Sequence, residues 1–201
     1  MKYQEIRQQI SSFDILLFSG KGHISNWIKR VTNSRWSHIG LALVLDEYDC
    51  VVLFESTTLS NAPDLILGRG IKGVQLVNLS LRMKDYNGDV GWRHIEGPRT
   101  SEMKRSALQF VRDFHGRPYE KNQLELIKSA LDIKGLSITQ NQEDASSVFC
   151  SELAALMLRH VGMMGGKLPS NEYTPADFEK RLPLKVGYHC DKVCTIEPDV
   201  E

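Results

Sequence analysis

The stretch "SRWSHIGLALVLDEYDCVVLFEST", residues 34–57, constrains the fold more than any other part of the chain. Two apolar runs, "HIGLALVLD" and "CVVLFES", flank the turn signal "DEYD", so the segment reads as a β-hairpin. The apolar frame carries His38 near the start of the first strand and Glu55 near the end of the second. A polar group in such a frame costs free energy unless it finds a partner. The two lie at equal distances from a point between Asp46 and Glu47, inside the turn. The expected register therefore makes them direct cross-strand neighbours, with Cβ atoms about 5 Å apart. His38 then shares a face with Gly40, Ala42 and Val44, while Ile39, Leu41, Leu43 and Leu45 fill the other. A carboxylate beside an imidazole fixes its tautomer and stabilises its cation. A solvent-facing His–Glu pair is the alternative, and a one-residue slip would separate the two.

The remaining chain mixes strands and helices without regular alternation, which predicts an α+β fold. "DILLFSG" reads as a buried strand stopped by glycines, with Asp14 as a turn or cap residue. Ile24, Trp27, Ile28 and Val31 follow helical spacing in "HISNWIKRVTNS". Residues 57–73 read as a surface loop, and "VQLVNLSL" and "VGWRHI" as strands. "SEMKRSALQFVRDFHG" is a helix with Ser101 as cap and Gly116 as stop. "NQLELIKSALDIKG" is a further helix. "TPADF" opens a short one with Thr174 as cap and Pro175 at its first position. "LKVGYHCDKVCTIE" reads as a last strand. No repeat divides the 201 residues, and one domain over 1–201 is expected.

Cys150 stands where the polar loop "SITQNQEDASS" gives way to the apolar helix "CSELAALMLRHVG". With Ser147 as cap, Cys150 falls in the first turn. Unpaired N–H groups and the positive end of the helix dipole there favour a thiolate and can hold a developing oxyanion. A nearby imidazole would complete an activated nucleophile. The plainer reading is a small hydrophobe packed at a helix start.

Cys50 is assigned to the core. All four cysteines are expected as free thiols in a reducing compartment. His189, Cys190 and Cys194 offer three metal donors with no fourth to complete a tetrahedron, so no metal is expected. His23, His94, His115 and His160 belong to no motif. Lys21 between Gly20 and Gly22 lacks phosphate-loop spacing. Trp36 is either a lip of the pocket or a packing aromatic. Formal net charge is zero, which argues against a dominant nucleic-acid or anionic-membrane surface but leaves room for a local patch. The first twenty residues lack a signal-peptide core and no window reaches the ~18 apolar residues of a span, so the cytoplasm is the expected location.

"RWSHIGLAL", "LFES" and "FCSEL", in that order, resemble the circularly permuted papain-like hydrolases, the YiiX/YaeF-like branch of the NlpC/P60 superfamily. "DILLFSGKG", "GRPYE" and "YTPADF" resemble further elements of that branch, extending the likeness from about Asp14 to Phe178. In ordinary papain-like enzymes the cysteine helix precedes the histidine strand; here it follows. The resemblance implies an antiparallel sheet or partial barrel with the cysteine helix packed on the His–Glu face. It implies Cys150 as nucleophile, His38 as general base and acid, Glu55 as the residue orienting His38, and Tyr119 lining the pocket. The implied reaction is hydrolysis of a peptide or amino-acid amide through a thioester; no cofactor, nucleic-acid partner or stable membrane insertion is expected. Transfer of the acyl group to another acceptor, lipid hydrolysis at the same site, and a non-catalytic binding module are the alternatives.

Overall fold

The structure is a computed structural model and describes residues 1–57, 61–118 and 146–199. Its centre is a six-stranded sheet built from β1 (Ile15–Gly20), β2 (His38–Leu45), β3 (Cys50–Thr57), β4 (Gly73–Asn78), β5 (Gly88–Arg93) and β8 (Cys194–Ile196), in the spatial order β4-β3-β2-β1-β5-β8. Every neighbouring pair is antiparallel. A separate two-stranded ladder pairs β6 (Ile95–Glu96) with β7 (His189–Cys190). The expected last strand is therefore two short ones, β7 and β8, in different sheets.

Both faces of the main sheet are covered, as the all-buried β1 requires. On one face Ile15, Leu17, Ile39, Leu41, Val52 and Phe54 pack against α4 (Ser101–Phe114) and α5 (Ser146–His160), which supply Phe110, Val111, Leu153, Met157 and Leu158. On the other, Leu16, Phe18, Ala42, Leu53 and Val77 meet Tyr3 and Ile6 of α1 (Tyr3–Ile6) and Leu79 and Met83 of α3 (Leu79–Lys84). The α+β mixture and the hairpin agree with the sequence reading, and the sheet is open rather than a barrel. No helix among the described residues is long and apolar enough to cross a membrane.

Three local expectations change. "VQLVNLSL" is a strand only as far as Asn78, whose side chain accepts the Leu81 N–H and starts α3. The cap of α4 is Thr100, accepting from Met103 N–H, and Ser101 is the first helical residue. α5 begins at Ser146, so Ser147 lies inside the helix and Cys150 is its fifth residue. Helix α2 (His23–Thr32) forms as expected, and α6 (Pro175–Lys180) has Pro175 at its first turn and a capping box between Thr174 and Asp177. The helix expected over "NQLELIKSALDIKG" lies outside the described residues.

Candidate active site

His38 opens β2 and Glu55 lies near the end of β3. The observed register sets Glu55 opposite Gly40, with Leu45 opposite Cys50 across the turn. His38 and Glu55 are thus diagonal neighbours on one face rather than direct partners. The cause is the turn: Asp46–Tyr48 form a 3-10 element and Asp49 adopts the left-handed conformation, moving the centre of the hairpin by one residue. The glutamate is long enough to span the diagonal. His38 Nε2 and Glu55 Oε2 are 2.6 Å apart, with His38 8% and Glu55 1% exposed.

Glu55 is held from three sides. Oε1 accepts from Arg82 Nε at 2.7 Å and from Gln75 Nε2 at 2.7 Å, while Oε2 takes His38. Gln75 is the direct cross-strand partner of Glu55 in β4, and Arg82 descends from α3. The Arg82 guanidinium also lies over the rings of Phe18 and Tyr86. Burial pushes the Glu55 carboxyl upward, but the Arg82 charge and the bond from His38 outweigh it and hold its pKa down at about 2. Glu55 is therefore a permanent anion around neutrality. Gln75 Oε1 is buried with no partner among the described residues. Flipping the amide would turn that oxygen on the carboxylate, so the bond to Glu55 fixes the amide's orientation.

The second partner of His38 is the thiol of Cys150, which is 1% exposed. With Nε2 taken by Glu55, Nδ1 is the ring nitrogen left to face the sulfur. Burial alone would lower the His38 pKa; the charge and hydrogen bond of Cys150 and then the contacts with Glu55 raise it to about 9. Helix α5 does not cover the His–Glu face as the resemblance implies. Cys150 belongs to the Ile39–Leu41–Phe54 layer, whereas His38 lies beside Phe18 on the other side, their rings tilted and their centroids 5.5 Å apart. Since His38 is the first residue of β2, thiol and imidazole meet at the end of the sheet. As fifth residue of α5, Cys150 directs its own N–H toward the Ser146 carbonyl in the helical pattern, so that amide is not a spare oxyanion donor.

Arg82 and Gln75 were not expected from the sequence. Trp36 is a core residue, 1% exposed, lying against Gly91. Tyr119 lies outside the described residues. His94 and His115, without a motif in the sequence, pair with the buried carboxylates Asp14 and Asp64 at 2.9 Å each. Asp14 also receives Trp92 Nε1, Arg99 and the Ile95 N–H, making it a fully bonded clasp. His189 does not join Cys190 and Cys194: strand alternation turns Cys190 toward the core, and His189 groups instead with Glu96 and Asp191. Those three exposed residues have donor atoms within 4.8 Å of one another, close enough to share a cation. None of Cys50, Cys150, Cys190 and Cys194 is in a disulfide.

No family model matches the chain, and no curated protein matches it. Among solved structures, the crystal structure of the metalloprotein YiiX from Escherichia coli O157:H7 is similar, with a TM-score of 0.53 and 16% sequence identity over 95% of this chain and 98% of that one. At that identity the likeness is one of fold: the chain has a YiiX-like fold.

Proposed function

We propose that this protein is a cysteine-dependent amide hydrolase of the permuted papain-like type, with Cys150 as nucleophile, His38 as proton carrier and Glu55 as the residue that orients His38. The observation that carries the reading is a buried imidazole with a carboxylate 2.6 Å away on one nitrogen and a cysteine thiol as its other partner. The imidazole beside the thiol is the group placed to take up its proton when the sulfur attacks. The sulfur adds to the substrate carbonyl carbon while His38 holds the proton. Collapse of the tetrahedral adduct breaks the C–N bond, and His38 gives its proton to the departing amine, leaving a thioester. Water then attacks the thioester, His38 takes its proton, and the acid leaves as the thiol re-forms. Glu55, fixed by Arg82 and Gln75, keeps the ring aimed through both halves.

YiiX, which is similar in fold, is described as a metalloprotein. Among the described residues, Glu96, His189 and Asp191 are grouped closely enough to share a cation, and none of them belongs to the Cys150 site. No step is assigned to a metal.

Alkylation with iodoacetamide, read by peptide mass mapping, tests the reading. Cys150 is expected to react fastest of the four cysteines near neutral pH, and about tenfold or more slowly in His38→Ala. Preferential labelling of Cys50, Cys190 or Cys194 would remove the basis for it. Incubation with peptide amides and acyl esters, with products read by mass, then distinguishes hydrolysis from acyl transfer.

A further inference from the structure

Residues 64–69 form a turn that displays three consecutive aliphatic side chains. Leu65, Ile66 and Leu67 are 48%, 60% and 47% exposed. The turn is firmly built. The Gly68 N–H bonds the Asp64 carbonyl at 2.8 Å, and Asp64 Oδ1 accepts the Ile66 and Leu67 N–H groups. Asp64 itself is buried, taking Leu76 N–H and His115 on its carboxylate, while Leu65 N–H bonds the Leu76 carbonyl. The three side chains are thereby fastened to edge strand β4. A fixed run of exposed aliphatics is unfavourable in water and marks a surface that meets something apolar.

The surroundings are cationic. Exposed Arg69 ends the turn. Exposed Arg112 lies in the last turn of α4, three residues before the cap residue His115, and exposed Arg117 is tied to β4 through its carbonyl and Val74 N–H. Asp113 and the buried Asp64 are the acids beside them among the described residues. The chain as a whole has zero formal charge, so this is a local excess.

We propose that the Leu65–Leu67 turn and its flanking arginines dock on an anionic lipid surface. The aliphatics enter the acyl boundary and the guanidinium groups meet lipid phosphates. The assignment stands apart from the chemistry of Cys150. It does set that chemistry close to a membrane, because Leu76, which anchors the turn, adjoins Gln75, which holds Glu55.

Co-sedimentation of the full chain with sucrose-loaded vesicles of phosphatidylcholine, with or without phosphatidylserine, tests it. The protein is expected to pellet with the phosphatidylserine vesicles. Combined Leu65→Ser, Ile66→Ser and Leu67→Ser should cut binding by about tenfold or more, and Arg69→Glu with Arg117→Glu should cut it while removing its salt sensitivity. Ile66→Trp should gain quenching by brominated lipid beyond that of the native tryptophans. Cys150→Ser should bind as the parent does, which separates this result from the fate of the catalytic reading. The proposal is overturned if the parent fails to pellet or the triple variant binds undiminished. It is equally overturned if sedimentation velocity shows a dimer that depends on Leu65–Leu67 without vesicle binding. A large drop in melting temperature of the triple variant, with no vesicle binding by the parent, would place the triplet inside the fold and likewise end it.

Discussion

Glu55 reaches His38 on the diagonal, across a strand position occupied by Gly40. Gly40 is the direct partner of Glu55 in the β2–β3 ladder, yet the carboxylate closes to 2.6 Å on a histidine two residues away. A side chain at position 40 would stand between them. A Cβ built there lies 2.6 Å from Leu53 Cδ1, 3.0 Å from the Phe54 carbonyl oxygen and 3.1 Å from Glu55 Cβ. The absence of a side chain in this one place lets the long acid lean over to the ring.

Gly40→Ala is therefore expected to damage both stability and the site. The Phe54 carbonyl is backbone within the ladder and cannot swing away, so the strain spreads to Leu53 and Glu55. Overpacking of this kind costs about 1–3 kcal/mol. Urea denaturation should show the loss, and Cys150 alkylation should slow as Glu55 is pushed off His38. An alanine variant as stable and as reactive as the parent would show that the diagonal tolerates a Cβ.

Arg82 offers a sharper test because its partner is a buried anion. Arg82 is 4% and Glu55 1% exposed, and removing the guanidinium leaves the carboxylate with too little compensation. Arg82→Met is expected to destabilise by about 3–5 kcal/mol, the range for an orphaned buried charge. Adding Glu55→Gln removes that charge and should recover much of the loss, a coupling read from the double-mutant cycle in urea. Additive losses would mean that the pair is not energetically linked.

The three residues of the proposed triad are legible because each breaks its surroundings: a histidine and a glutamate in apolar strands, and a cysteine where a polar loop becomes an apolar helix. Their exact relation is not. Register depends on the 3-10 turn at Asp46–Tyr48, which composition does not reveal. Alternation tells which side chains share a face, but not which helix covers it, so α5 was expected on the wrong side. Arg82 escaped because the strand pattern runs apolar through Leu79 and Leu81 and hides the change to a helix. The usable signal was Asn78, a good N-cap residue just before that run.

The pH dependence follows from two opposite shifts. His38 is raised from 6.5 to about 9, so its contribution is fully present below about 6.5 and is lost as pH rises through 9. Glu55 is lowered from 4.5 to about 2, so its contribution is present above 4.5 and is lost as pH falls through 2. Together they favour the folded state most between about pH 4.5 and 6.5. The alkaline loss is at most roughly 3 kcal/mol for a shift of this size. Denaturation midpoints across pH 5–10 should fall in the parent and flatten in His38→Gln. The His38 ring should titrate near 9 by NMR in the parent and lower in both Cys150→Ser and Glu55→Gln. A parent midpoint near 6.5 would remove the charged imidazole from the site.

Asn78→Ala probes whether the α3 start matters to chemistry as well as to folding. Asn78 Oδ1 accepts Leu81 N–H at 3.2 Å, and also receives the Ser80 hydroxyl at 2.7 Å. Its loss should cost about 1 kcal/mol, the usual value of a cap. Arg82 follows in the same short helix, only one turn further on, so fraying of the first turn should loosen its grip on Glu55. The variant should then show slower Cys150 alkylation and a His38 titration midpoint below that of the parent, at a pH where both proteins are folded. Asn78→Asp keeps the cap acceptor and should restore the stability and the reactivity together. If stability falls in Asn78→Ala while the His38 midpoint stays put, the cap serves α3 alone, and Arg82 is held in place by its own ion pair with Glu55 and its stacking on Phe18 and Tyr86.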